Sequence, residues 1–129
     1  MNFFIFVFLY MSYVLMKSYN DALEVKKTNT SPNHGLEWFM TAAFSTACGF
    51  GLFGTLIGTL KFDAAMVPTT WVVMDIATNA MMGHNPFTHV GSGGWDIFYK
   101  THFGDKAYVA IWISKLILTV AAWLVYSNV

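Results

Sequence analysis

Four long apolar segments follow one another along the chain, separated by shorter polar or glycine-rich stretches. A helix that crosses a bilayer needs about 20 predominantly apolar residues, at a rise of about 1.5 Å per residue. The pattern therefore predicts an all-α integral membrane protein, a small polytopic bundle of four transmembrane helices in a single membrane domain. The predicted helices are 2–22, 36–60, 64–82 and 107–129.

The first and third segments each leave an alternative open. Residues 2–22 lack the positively charged start and the small-residue cleavage site of a signal peptide, so we expect a retained helix. Segment 64–82 contains Pro68 and Asp75, which a membrane interior tolerates only where neighbouring helices cover them. If this segment is re-entrant and does not cross the membrane, the bundle has three spans.

Lysines are distributed unevenly over the predicted connections. Loops 17–35 and 83–106 lie on one side of a four-helix bundle, and the short connection 61–63 lies on the other side. Because lysines near helix ends favour the inner side of a membrane, we expect both long loops inside. The expected location is a bacterial or archaeal cytoplasmic membrane or an organelle inner membrane. The long loops carry Lys17, Lys26, Lys27, Lys100 and Lys106, and the short connection carries Lys61.

The long loop 83–106 has a composition of its own. Its first half is rich in glycine and contains Pro86, which excludes a long regular helix there. Trp95, Phe98 and Tyr99 follow, and aromatic side chains of this kind are enriched where a membrane meets water. We therefore predict a short amphipathic piece that lies at the interface.

Composition narrows the class of protein. The 129 residues are 56% hydrophobic and 11% charged, whereas soluble domains are about 25% charged, so a soluble monomer and a disordered chain are both disfavoured. The formal net charge is zero and there is no basic stripe, so we expect no nucleic-acid partner. The single cysteine, Cys48, lies mid-segment and is interpreted as a small packing residue.

Small residues recur at four-residue steps in segment 36–60. At about 100° per residue they share one helical face, which lets a second helix approach closely in lipid. We predict a helix–helix contact at this face; the alternative is an ion conduit lined by Thr55 and Thr59. The residues of the predicted packing face are Ala47, Gly51, Gly54, Thr55 and Gly58.

Two charged residues fall inside predicted spans. Asp75 lies about 10 Å from the end of its helix at Met82, and Lys115 lies about 13 Å beyond Lys106 on the same side. A charge at this depth is costly unless it is paired or hydrated, so we predict an Asp75–Lys115 intramembrane charge pair. The alternatives are a Lys115 side chain that reaches toward the membrane surface, and a role in proton transfer.

Histidines suggest a metal site on the side of the two long loops. His84, His89 and His102 are the candidate ligands, for copper or another metal, because histidine is the commonest ligand of transition metals. Their spacing is not that of a helical pair, so an irregular loop must bring them together. The alternative is that they hydrogen-bond to the backbone, to headgroups or to a partner.

These features favour one function and leave two alternatives. The short chain shows no catalytic constellation, so we expect a small non-catalytic accessory subunit of a larger membrane complex, of the respiratory or redox type. Its partners would be other membrane subunits, in a hetero-oligomer, together with bound lipid. The alternatives are a self-oligomerising channel or ion conduit, and a metal- or cofactor-binding subunit of a membrane oxidoreductase.

Overall fold

Helices make up nearly all of the structure. The computed structural model describes residues 2–28, 34–91 and 94–128, with backbone only at residues 34–37 and 128. Four long helices and one short helix occupy these ranges, which confirms the predicted all-α class. The helices are α1 (Asn2–Thr28), α2 (His34–Phe53), α3 (Leu56–Met82), α4 (Gly94–Phe103) and α5 (Ala107–Asn128), and the 3-10 turn Gly104–Lys106 joins α4 to α5.

The first helix is longer than predicted. It continues past residue 22 to Thr28, so Lys17, Lys26 and Lys27, which were assigned to the predicted loop 17–35, all lie inside α1. There the Lys17 ammonium donates to the Asp21 carboxylate one turn later, at 2.9 Å, and both side chains are largely buried. This pairing allows two charges to remain within a helix. Residues 29–33 of the predicted loop lie outside the described residues.

The turn between the second and third helices lies at Gly54 and Thr55, and the predicted position at residues 61–63 was wrong. Gly54 has φ +63°, a left-handed conformation that glycine adopts without a Cβ clash. The Thr55 hydroxyl then accepts from the backbone N–H of Gly58 at 3.2 Å and caps the start of α3. The predicted helix 36–60 is therefore divided between α2 and α3.

Helix α3 is central and packs against α1, α2 and α5. It runs without interruption over 27 residues, or about 40 Å, although Pro68 lies near its midpoint. A proline inside a helix lacks the N–H that would bond to the carbonyl four residues earlier, here that of Ala64. Pro68 is buried between the helices, where neighbouring elements compensate for such a loss.

The long helices alternate in direction. At one end of the bundle, the Lys26 ammonium of α1 donates to the Met81 carbonyl of α3 at 2.8 Å, so both helices terminate there. We call this the loop end, because the segment 83–91 and α4 follow from it. At the opposite end, the Tyr126 ring of α5 lies about 6 Å from the rings of Phe3 and Phe53.

The hydrophobic core lies where α1, α2 and α3 meet. The Tyr10 ring stacks on Phe44 and meets Phe62 edge-on, with ring centroids 6.3 and 6.2 Å apart. The single cysteine, Cys48, is buried in this core. Among the described, partly buried residues of α5, Trp123 and Tyr126 pack against it. The first three helices therefore form one packed unit, to which α5 is attached mainly along α3.

Among the described residues, two helical stretches are long and apolar enough to cross a membrane, Asn2–Thr28 and Gly94–Ser127. Length and composition define them, and a buried core helix or a signal sequence meets the same criteria. Of their most apolar windows, 17% and 11% respectively are buried within the described part of the chain. Trp38–Phe53 is apolar but shorter.

The short amphipathic piece predicted around Trp95, Phe98 and Tyr99 is the helix α4, and its location at a membrane interface stays a prediction. Gly83 ends α3 in the left-handed conformation, with φ +81°, and its N–H returns to carbonyls of the last turn. None of the α4 residues is buried, and Trp95 is 72% exposed. Helix α4 therefore presents aromatic side chains to its surroundings.

Candidate functional site: a charged cavity between α3 and α5

A buried lysine lies at the centre of the α3–α5 contact. Lys115 of α5 is only 1% exposed, and its ammonium donates to the carboxylate of Asp75 on α3. The ammonium also lies over two indole rings, 4.9 Å from the centroid of Trp71 and 5.2 Å from that of Trp112. The two sequence-predicted charges are thus in contact, and aromatic faces cover the rest of the cation.

The two partners of this pair differ in access to their surroundings. The Asp75 side chain is 40% exposed, whereas Lys115 is enclosed. The exposed part of Asp75 opens into a cavity of about 70 Å³ between α3, α5 and the loop end. The cavity wall includes a second carboxylate, an imidazole, a phenol and an amide. These polar side chains belong to Asp96, His89, Tyr108 and Asn79.

Hydrogen bonds hold the segment 83–91 over this cavity. The Trp112 indole N–H of α5 donates to the Phe87 carbonyl at 2.7 Å, and the Lys100 ammonium of α4 donates to the Gly91 carbonyl at 2.7 Å. The Asn85 side chain accepts from the backbone N–H of Phe87 at 2.9 Å, which shapes the turn. Residues far apart in sequence thus set the cavity, which is why sequence reasoning missed it.

The structure brings together two of the three histidines proposed as metal ligands. The rings of His84 and His89 stack with centroids 4.0 Å apart and planes within 8° of parallel. His102 instead donates from Nδ1 to the carbonyl of Phe98 within α4, at 2.8 Å. Among the described residues, no group of three or more His, Cys, Asp or Glu side chains could hold a metal ion.

The pKa of the His89 ring lies below its usual value. Partial burial lowers its pKa from 6.5, and the nearby His84 and Lys100 add to this effect, while Asp96 opposes it. His89 is therefore neutral near pH 7, in the form that can both donate and accept a hydrogen bond at the cavity wall.

The residues of the predicted packing face have separate locations. Gly51 of α2 faces the Phe6 ring of α1, where a Cβ would come within 2.9 Å, and Gly58 of α3 lies against Phe53. Ala47 lies exposed on the outer surface of α2. Gly54 and Thr55 form the turn described above, so the expected continuous face does not exist. The cause is the helix break, which changes the direction of the chain.

A second polar cluster lies at the α2–α3 contact, and sequence reasoning missed it. The Asp63 carboxylate of α3 accepts from Ser45 at 2.5 Å and from Thr46 at 2.9 Å, both on α2. Nearby, the Tyr10 hydroxyl of α1 is bonded to the Thr70 hydroxyl at 2.6 Å. The adjacent Ser45 and Thr46 were the available signal, because hydroxyls can satisfy a carboxylate inside a helix bundle.

The arrangement gives α3 two partly covered carboxylates in different settings, one bonded to hydroxyls and one paired with a cation beside a cavity. Comparison with known proteins finds no matching family model, no matching curated protein and no matching solved structure. The function is therefore argued from the residues themselves.

Proposed function

We propose that this chain is a small non-catalytic accessory subunit of a larger membrane complex. In this proposal all four long helices cross the membrane. The lysines near the loop end, on α1 and α4, support a topology in which that end faces the inside of a bacterial or archaeal cytoplasmic membrane or an organelle inner membrane. The proposal is supported most by the outer surface of α2, which is shaped to receive another helix.

The outer surface of α2 has small side chains between two large ones. Ala43, Thr46 and Ala47 are exposed, and the exposed rings of Phe39 and Phe50 flank them on the same face. The result is a shallow notch, defined by these five residues. In lipid, small side chains favour association because they allow two helix backbones to approach closely.

The outer surfaces of α1 and α5 are different. On α1 the exposed side chains include Phe4 and Phe8, and on α5 they include Leu116, Ile117 and Leu124. Long apolar side chains of this kind meet acyl chains without a cost, so these surfaces suit bound lipid. This contrast makes α2 the helix whose outer surface is best suited to pack against a helix of another protein.

The position of Asp63 supports the same conclusion. Its carboxylate is only half-buried and bonds to Thr46, which is part of the notch. A charged side chain at the centre of a membrane span costs about 2.5–3.5 kcal/mol, and a carboxylate that is partly exposed to lipid carries a cost of this kind. A partner helix seated in the notch would shield Asp63 from lipid, whereas an isolated chain leaves it exposed.

Native mass spectrometry of gently extracted membranes tests the proposal. We expect the chain to migrate with other subunits, and redox centres among them would support the redox type. Ala47→Leu fills the notch and should release the chain from the assembly. Ala121→Leu makes the same change on an exposed position of α5 and should not, so it is the matched control.

Two results would overturn this function. If the chain migrates alone as a monomer, it is not a stable subunit of a larger complex. A chain that migrates as a homo-oligomer, lost on Ala47→Leu, would place the notch between identical copies and favour a conduit.

A further inference from the structure

We propose that Asp75 is a proton-binding site, which exchanges its proton with water that enters the cavity from the loop end. This goes beyond an accessory role and does not depend on any partner subunit. It rests on the contact between α3 and α5 and on the cavity beside it. Both lie within the described part of a single chain.

The geometry assigns the proton to Asp75 and not to Lys115. Lys115 also lines the cavity but is only 1% exposed, because the Asp75 carboxylate and the faces of Trp71 and Trp112 enclose its ammonium. The carboxylate is 40% exposed and lines the cavity. When Asp75 is neutralised, the two indole faces still stabilise the cation. The pair therefore has one enclosed partner, Lys115, and one partner that is open to the cavity, Asp75.

The cavity is suited to water. Its volume of about 70 Å³ has room for a few water molecules, since a cavity of about 10–15 Å³ by the same measure can hold one. A buried water makes about three hydrogen bonds, and Asn79, Tyr108, Asp96 and His89 offer donors and acceptors around the space. Waters held there would connect Asp75 with the solution beyond the segment 83–91.

Charged and titratable groups surround Asp75 from every element that forms the cavity. Lys115 and Tyr108 face it from α5, Asp96 from α4, and His89 from the covering segment. The proton moves from a hydronium ion in the cavity to a carboxylate oxygen of Asp75, leaving water and a neutral carboxyl group. The charge of the pair with Lys115 changes from zero to plus one, and release reverses the step.

Asp63 provides the matched comparison on the same helix. It lies near the other end of α3, its oxygens are bonded to Ser45 and Thr46, and it does not line the cavity. A carboxylate that merely lies inside a helix bundle would behave alike at both positions. A carboxylate that exchanges protons through the cavity would respond at Asp75 alone.

Infrared difference spectroscopy on the full chain in phospholipid vesicles tests the site. The carbonyl-stretch band of a protonated carboxyl group is followed during acidification, with aspartate carboxyls labelled with carbon-13. We expect a band that shifts with the label in wild type and in Asp63→Asn. The band should be lost in Asp75→Asn. In Asp75→Glu, which keeps a carboxyl group, a band should remain but no longer shift.

The Asp75→Glu variant keeps the test decisive where Asp75→Asn fails to fold. A band that still shifts with the label in Asp75→Glu would assign the proton to another aspartate, with Asp96 the nearest in the cavity wall. Absence of the band in wild type, or its loss in Asp63→Asn, would also overturn the proposal. Because the vesicles contain this chain alone, failure here leaves the partner experiment unaffected.

Access through the cavity has a separate readout. Val90 lines the cavity, and Val90→Trp fills it without removing Asp75. After a rapid pH jump, we expect the Asp75 band to rise more slowly in this variant than in wild type. An equal rise time would show that the proton does not arrive through the cavity.

Discussion

Two carboxylates on the central helix have the same chemistry and opposite surroundings. Asp63 lies seven residues after the first residue of α3 and Asp75 lies seven residues before the last, each about 10 Å from an end. Asp63 is held by neutral hydroxyls of α2, whereas Asp75 is held by a cation of α5. The depth of a charge in a helix therefore does not decide how it is stabilised.

The difference has an energetic consequence for each partner. Hydroxyls that lose their carboxylate can turn toward backbone carbonyls, so the cluster at Asp63 can adapt. A buried ammonium that loses its carboxylate has lost its counter-ion, and the faces of Trp71 and Trp112 replace only part of that stabilisation. We therefore expect substitutions at the α3–α5 pair to cost more than substitutions at the α2–α3 cluster.

The largest effect is expected for Asp75→Asn. It leaves the charge of Lys115 buried without its counter-ion, and breaking such a pair costs about 3–5 kcal/mol. The measurement is the free energy of unfolding, from helical circular dichroism during titration of detergent micelles with dodecyl sulfate. A loss smaller than that of Asp63→Asn would contradict the comparison.

Lys115→Met is expected to cost less than Asp75→Asn. Methionine keeps the apolar stem between Trp71 and Trp112, and the remaining Asp75 can take up a proton from the cavity. The double variant should be more stable than Asp75→Asn alone, because neither charge remains unpaired. A double variant as unstable as the sum of the single changes would argue that the two residues act independently.

Asp63→Asn is expected to reduce the free energy of unfolding by about 1–2 kcal/mol. The amide oxygen still accepts one hydroxyl bond but loses the charge that strengthens it. Within the same cluster, Ser45→Ala should cost more than Thr46→Val, since Ser45 is buried and Thr46 is exposed. The same micelle titration measures all three, and a reversed order would show that the exposed bond dominates.

The smallest effect is a dependence on pH at the loop end. The folded-state pKa of His89 lies below 6.5, because partial burial and neighbouring positive charge disfavour the protonated ring. Its contribution to stability is therefore present above pH 6.5 and is lost as the pH falls through the lowered folded-state pKa. The unfolding midpoint should decrease across this range in wild type. The decrease should be weaker in His89→Gln. If the midpoint of that variant depends on pH as steeply as in wild type, His89 is not the group responsible.

The helical class could be predicted from the sequence more readily than the positions of the turns between the helices. The helical class followed from segment length, but the turn at Gly54–Thr55 was placed at the charges of Lys61 and Asp63. A glycine can end one helix and a threonine can cap the next, and Gly54–Thr55 offered this local signal, although the same pair at Gly58–Thr59 lies inside α3. The charges were misleading because Ser45 of another helix accommodates Asp63, and such a contact is not visible in a linear sequence.

Of the candidate site, the sequence predicted only the charge pair, because that prediction needed no more than the position of each residue along its helix. Counting residues from the helix ends put Asp75 and Lys115 at similar depth, and their side chains do meet. The cavity beside them depends on how segment 83–91 folds back, which is set by bonds from Trp112 and Lys100. Those long-range bonds have no periodic pattern, so the sequence contained no signal for the cavity.

Pro68 gives the central helix a mechanical joint. It lies between the two carboxylates, at the one interior turn of α3 where the backbone bond to the Ala64 carbonyl is missing. Because that hydrogen bond is missing, we expect α3 to bend more easily at this turn than elsewhere along its length. The half that contains Asp63 is fastened to α2, and the half that contains Asp75 is fastened to α5. We therefore expect a force that tilts α5 to bend α3 first at Pro68, so that the helix responds as two linked rods and not as one stiff beam.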